Sequence, residues 1–244
     1  MTDILKVVLE YCDQYVDDLN LEELKVSDFP LYAYKMWGYL RAALPFFNNP
    51  ENMQTYFFGT FTEPKLKNPA YTSEIYTATQ DSATDVSVNF PQFQNYTYIS
   101  CRRILTDEFG DVEYVPYPIS FDSTDGTVTF KATEENPITA GARFDFDLYT
   151  DGLFENTLTP EMMGVLGLCF AYVWETRFIN NWLSNTPKIE DSSFKEQNRA
   201  NNKRADTERI KEIRAQRDSA IRRFSENAEI RTFVHGSSRN MKLF

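Results

Sequence analysis

Arg143-Phe144-Asp145-Phe146-Asp147-Leu148-Tyr149 alternates strictly between apolar and polar residues over its middle. Extended backbone sends successive side chains to opposite faces, so Phe144, Phe146 and Leu148 share one face of a strand and Asp145 and Asp147 the other. Thr127-Val128-Thr129-Phe130 has the same period of two, and Asp125-Gly126 just before it is a tight-turn signal. Further short runs at 55–61, 73–78, 86–90, 96–105 and 112–121 are separated by Pro, Gly, Asn and Asp, with Phe109-Gly110-Asp111 marking another turn. About six short strands at this spacing predict an antiparallel β-sandwich or barrel-like module over residues 51–150.

The flanking sequence is helical. Residues 2–20 place Leu5, Val8, Leu9, Cys12, Tyr15, Val16 and Leu19 at spacings of three and four, behind Thr2 as a cap. A second helix opens at Ser27-Asp28 with Pro30 in its first turn and stops at Pro45. Thr159-Pro160-Glu161 begins a third helix, running to about Asn181, that is apolar nearly all round and needs cover on several sides. The N-terminal helices supply some of that cover and a neighbouring subunit the rest. Gly164 and Gly167 let another backbone come close. A fourth helix, from Ser193 to Phe224, would be about 48 Å long, with sparse apolar positions and surface pairs such as Glu208–Lys211 and Asp218–Arg222. Residues 225–244 have no clear period and read as a C-terminal arm. The fold class expected is therefore α+β: a helical assembly domain (1–50 and 151–224), an inserted β module (51–150) and the arm.

Composition narrows the chemistry. The 244 residues contain one histidine, His235, and three cysteines. Isolated Cys12, Cys101 and Cys169 suit a reducing compartment, and the N-terminus lacks the basic start of a signal peptide, so a cytoplasmic origin is expected. The longest apolar stretch, Met162 to Trp174, holds 13 residues, against the roughly 20 of a spanning helix. No membrane association is expected. Residues 1–187 carry 11 Lys/Arg against 27 Asp/Glu, whereas residues 188–244 carry 14 against 9. An acidic body repels nucleic acid, while the basic segment suits an acidic partner or the body of another copy.

Candidate sites are few. Asp145 and Asp147 would serve as an acid/base pair or bind calcium, but the alternation most simply puts them on a solvent-facing side of the strand. Asp122-Ser-Thr-Asp125-Gly126 resembles a calcium loop but has Thr133 where the bidentate Glu belongs, so a hairpin turn is expected. Arg199, Lys203, Arg204, Arg209, Arg214, Arg217, Arg222 and Arg223 suggest a DNA-reading helix, but Glu196, Asp206, Glu208, Glu212 and Asp218 interrupt them. A solvated or subunit-facing helix fits better. Asn95-Tyr96-Thr97 matches a glycosylation acceptor only by chance. His235 lacks the fixed acid partner and buried pocket a general base needs. No catalytic residue, cofactor or metal is expected.

The order of elements carries a resemblance. Leu31-Tyr32-Ala33-Tyr34-Lys35-Met36-Trp37 and Leu44-Pro45-Phe46-Phe47 precede a β module. Phe144–Gly152, Asn156-Thr157-Leu158-Thr159-Pro160-Glu161, an apolar helix and a long charged helix follow it. This layout resembles head–tail connector (neck or adaptor) proteins of tailed bacteriophages. The resemblance implies a non-enzymatic virion component at the head–tail junction. It implies a homo-oligomeric ring of twelve copies beneath the portal protein, contacts to a tail or neck protein, and passage of genome DNA through the lumen without sequence-specific binding. The subunit-contact residues expected are Trp174, Phe178, Phe194, Ile210, Ile213, Arg214, Arg217, Ile221, Phe224, Phe233 and Phe244. Another tail-completion or baseplate role fits the same features. A carbohydrate-binding or carbohydrate-active protein is a different reading, and would place aromatic side chains on an exposed face beside Asp145 and Asp147.

Overall fold

A computed structural model describes residues 1–106, 109–185 and 193–235, with side chains described except at 178–185, 193–204, 206 and 229–235. The chain begins with β1 (Thr2–Asp3) and α1 (Ile4–Val7), which continues through a π turn (Val8–Cys12) and a 3-10 turn (Asp13–Tyr15). Helices α2 (Leu19–Ser27), α3 (Phe29–Ala43) and α4 (Met53–Phe58) follow. The strands are β2 (Leu66–Lys67), β3 (Ala70–Thr77), β4 (Val86–Asn89), β5 (Tyr98–Thr106), β6 (Val112–Pro116), β7 (Ile119–Asp122), β8 (Thr127–Phe130), β9 (Arg143–Thr150) and β10 (Leu153–Phe154). Two helices, α5 (Pro160–Asn185) and α6 (Ser193–His235), complete the described chain. The fold is α+β, with antiparallel sheets and, among the described residues, no closed barrel.

Two compact units form. The β unit takes Asp18–Met36 and Asn68–Gly152, and the helical unit takes Met1–Asp17, Trp37–Lys67 and the chain from Leu153. This differs from the expected segments at two places. Residues 18–36 belong with the strands, and the aromatic run at 55–61 forms α4 rather than a strand, burying Met53 and Phe57 one helical turn apart. The expected helix 2–20 is also interrupted: Val16 is extended after the 3-10 turn, and Asp18 caps α2 by accepting from the Asn20 N–H at 2.9 Å.

In the β unit, one sheet has the order β3-β9-β5-β6 and the other β4-β8-β7. Phe130 of the second sheet meets Phe144 and Phe146 of the first, at ring separations of 4.8 and 5.8 Å. Phe90, Phe93, Tyr117, Val128 and Leu148 fill the rest of this core. The Asp125-Gly126 turn joins β7 to β8 as expected, and it needs glycine. Gly126 has φ +76°, and a Cβ there would lie 2.2 Å from the Phe90 carbonyl oxygen.

In the helical unit, α5 is the central element. Met162, Leu166, Cys169, Phe170, Val173 and Trp174 are buried along it, with Tyr39 packed edge-on against Trp174 at 4.9 Å. Its first turn is held by Thr159, whose hydroxyl accepts from the Met162 N–H at 3.2 Å. The two helix glycines differ. A Cβ on Gly167 would lie 2.5 Å from the Tyr11 carbonyl oxygen, whereas one on Gly164 meets nothing within 4 Å. Gly167→Ala is therefore expected to destabilise by about 1–3 kcal/mol through overpacking. Gly164→Ala should instead stabilise by about 0.5–1 kcal/mol through helix propensity. Urea midpoints of the two variants test the contrast.

Helix α6 is longer than expected, because residues 225–235 continue it instead of starting an arm. Ile221 and Phe224 are buried and Ala228 is partly covered, so the apolar spacing of three and four runs past Phe224. Asp218 lies 3.8 Å from Arg214 and 2.6 Å from Arg217, whereas Arg222 reaches Glu226 at 3.9 Å, so the expected Asp218–Arg222 pair is not the one formed. The expected Glu208–Lys211 pair is present at 3.0 Å.

Candidate functional site

Among the described residues, a group of buried charged side chains lies in the β unit, on the face of the first sheet opposite its sandwich core. Strand β9 is central there, so its polar positions cannot turn outward past an edge. Arg102 of β5 stands directly across from Asp145. Its Nη2 donates to Asp145 Oδ2 at 2.7 Å and to Asp147 Oδ2 at 2.5 Å, and its Nη1 lies 3.0 Å from Asp28 Oδ2. Asp28 precedes α3 and works as its cap, with Oδ1 accepting from the Leu31 N–H at 3.3 Å and from Ser100 Oγ at 2.7 Å. From β3, the Tyr71 hydroxyl donates to Asp147 Oδ1, and Ser73 Oγ donates to Asp145 Oδ1 at 3.2 Å. The Tyr114 ring of β6 lies 5.2 Å from the guanidinium carbon.

The expectation that Asp145 and Asp147 face solvent is corrected by this arrangement. Asp147 is 1 % exposed, Asp145 7 % and Asp28 0 %. The cause is residues 18–36, which belong to the β unit. Phe29 packs on Tyr98 at 5.1 Å and Tyr34 stacks on Tyr71 at 4.6 Å, covering a sheet face that would otherwise meet water.

Three carboxylates around one guanidinium leave an excess of two negative charges if all are ionised. Burying uncompensated charge is costly, which disfavours the ionised form of Asp147. Burial raises the Asp147 pKa to about 6, helped by a hydrogen bond with the Asp28 carboxyl and opposed by Tyr71 and Arg102. Burial and the bond to Asp147 push the Tyr71 hydroxyl up. Burial by itself would favour neutral Arg102, but Asp28, Asp147 and Asp145 outweigh it and hold the guanidinium charged. Neither Arg102 Nε nor Asp28 Oδ2 has an aligned hydrogen bond. Arg102 occupies the centre where a calcium ion would sit. Among the described residues, no group of three or more His, Cys, Asp or Glu has the geometry to hold a metal ion. The arrangement ties a helix terminus to a sheet.

The residues expected at subunit contacts fall into three sets. Trp174, Arg217, Ile221 and Phe224 are buried by the chain itself. Arg217 stacks over Tyr172 at 4.2 Å and Phe46 at 5.2 Å, and Phe224 meets Phe47 at 5.2 Å. Trp174 belongs to the packing of α5 against Tyr39, and the other three to the intrachain packing of α6, a correction to their expected role between subunits. Ile210 and Ile213 are partly covered and Arg214 is exposed, so these three remain presentable to a neighbour. The side chains of Phe178, Phe194 and Phe233, that of His235, and all of Phe244 lie outside the described residues. Beside Ile213, a cavity of about 370 Å³ is lined by Gln14, Tyr15 and Asp17 and bridged by Glu175–Arg209 at 2.6 Å.

Asp28, Tyr71 and Arg102 were not singled out from sequence. The available signal was Arg102 itself, a cation within a β-prone run of an acidic region. Phe90, Phe93, Tyr117, Phe130, Phe144 and Phe146 of the β unit are buried in the sandwich, while Tyr34, Tyr98 and Tyr114 on the aspartate-bearing side are exposed. Among the described residues, no helix is long and apolar enough to cross a membrane. No family model matches the chain, and neither does any curated protein or solved structure.

Proposed function

We propose that this protein is a structural, non-enzymatic ring component of a tailed-phage head–tail connector, docking to a portal and to a tail or neck protein. The observation that carries the reading is the stretch of α6 from residue 205 to residue 216. Its described side chains are exposed apart from the partly covered Ile210 and Ile213. Ordering helix backbone costs about 1–2 kcal/mol per residue, and so exposed a stretch offsets little of that within its own chain. A neighbouring copy laid along it supplies the missing burial, and repetition of that contact closes a ring. The charge division supports the same reading, because a body with 27 acids against 11 bases over residues 1–187 lines a conduit without gripping phosphate.

Charge reversal at Arg214 and Arg222 tests the seam. Both are exposed, so the double variant should assemble less well at about 50 mM salt than at about 500 mM, where the Debye length is much shorter. Salt-independent assembly of the variant would count against an electrostatic seam. Duplex DNA should bind the full chain with a dissociation constant weaker than about 1 μM near 150 mM salt. Tighter binding would favour a nucleic-acid reader.

A further inference from the structure

The first sheet of the β unit, β3-β9-β5-β6, is open, and its edges are β3 and β6. All of its pairings are antiparallel. Strands alternating in direction across this order leave the two edges running opposite ways. A copy set beside another in the same orientation therefore brings its β3 antiparallel to the neighbour's β6. We propose that β3 of one copy pairs with β6 of a second copy, joining their first sheets into one continuous antiparallel sheet.

The backbone pattern of the two edges matches. In an antiparallel pair, residues bonded to the partner alternate with residues whose N–H and C=O point away from it. The Ala78 N–H donates to the Ala142 carbonyl at 2.8 Å and continues the β3–β9 register, so Ser73, Ile75 and Thr77 present their backbone groups outward. The Tyr117 N–H donates to the Cys101 carbonyl at 2.8 Å and continues the β5–β6 register, so Val112 and Tyr114 do the same on the other edge.

The side chains at these positions suit pairing. An edge that stays unpaired is ordinarily blunted by lysine, an inward-pointing charge or a bulge. Ser73, Ile75, Thr77, Val112 and Tyr114 carry no charge, and four of the five are β-branched or aromatic. Ile75 is 55 % exposed, Val112 52 % and Tyr114 51 %. Both edges thus offer apolar surface that water covers in the single chain.

One register satisfies the pattern. Tyr114 opposite Ile75 sets Val112 against Thr77, Glu113 against Tyr76, Val115 against Glu74, and Pro116, which has no N–H to donate, against Ser73. Outward residues then meet outward residues, and an aromatic faces a β-branched side chain. A slip of one residue turns every side chain to the wrong face. A slip of two in one direction puts Glu113 opposite Glu74, a like-charge pair, and in the other it carries Val112 past the end of β3. The joint lies wholly in the β unit, so it does not depend on the seam along α6 or on the connector reading.

Cross-linking of the full chain tests the joint and its register together. Glu74→Cys combined with Val115→Cys places two thiols at a pair whose Cα atoms would be about 4.5 Å apart between copies, within disulfide range. Inside one chain the same positions are separated by the full width of the sheet, about 14 Å or more, and cannot bridge. The native Cys12, Cys101 and Cys169 are buried. Under oxidised glutathione, this variant should give a ladder of linked multiples on a non-reducing gel. The shifted pair, Glu74→Cys with Glu113→Cys, should give far less. Adding Ile75→Lys to the first pair should lower the linked fraction about tenfold, because an edge lysine opposes strand addition. A ladder that persists when Arg214 and Arg222 are charge-reversed supports the sheet joint even where ring-sized particles are lost. Equal linkage in the two cysteine pairs overturns the proposal, as does linkage no greater than in the single-cysteine variants, the result expected if the edges take up only a foreign strand.

Discussion

Arg102→Met is expected to destabilise the β unit by roughly 3–5 kcal/mol at pH 7.5, the range for removing one partner of a buried ion pair. Methionine restores much of the buried volume, so the loss reports charge. With the guanidinium gone, Asp28, Asp145 and Asp147 face one another across a space nearly closed to water. They respond by binding protons, so the penalty should shrink substantially at pH 5. Urea unfolding at the two pH values measures both effects. A loss under about 1 kcal/mol, typical of exposed ion pairs, would mean that water reaches the cluster.

Phe146→Ala should cost a similar amount, roughly 3–5 kcal/mol, by transfer and cavity effects. Phe146 is fully buried and touches three other rings, Phe90, Phe93 and Phe130, at 5.6, 5.5 and 5.8 Å. Its removal leaves each ring without a partner on one side. The control is Ile75→Ser on the flanking strand, 55 % exposed and expected to fall within about ±0.5 kcal/mol. Equal losses in the two variants would place the packing core elsewhere.

The parts of this fold legible in sequence are those where one periodicity dominates. Phe144, Phe146 and Leu148 point into the sandwich as their spacing requires, and Asp125-Gly126 makes its turn. Thr159 opens α5, and Gly167 marks a close backbone approach. Short aromatic runs are ambiguous, because Thr55–Phe61 fits period two as well as it fits a helical turn through Met53 and Phe57. The end of α6 was obscured because its burial past Phe224 rests on few small contacts, such as Ser225 with Asn49 at 3.1 Å. The charged cluster was hidden for a different reason. Alternation identifies which residues share a face, and Asp145 and Asp147 do, but whether that face is wet depends on what covers it. Here the cover comes from residues 18–36, more than 60 positions upstream of Arg102, and the Arg102 guanidinium that pairs with the two aspartates comes from another strand. Neither fact leaves a local pattern.

The central claim is that the exposed part of α6 is completed by a second copy and that the contacts close into a ring. Native mass measurement of the full-length protein, alone and mixed with a candidate portal, tests it most directly. One dominant species at a single high multiple of 28.4 kDa, formed alone or on the portal, is the predicted result. A particle of 28.4 kDa at every concentration, with and without portal, would contradict it.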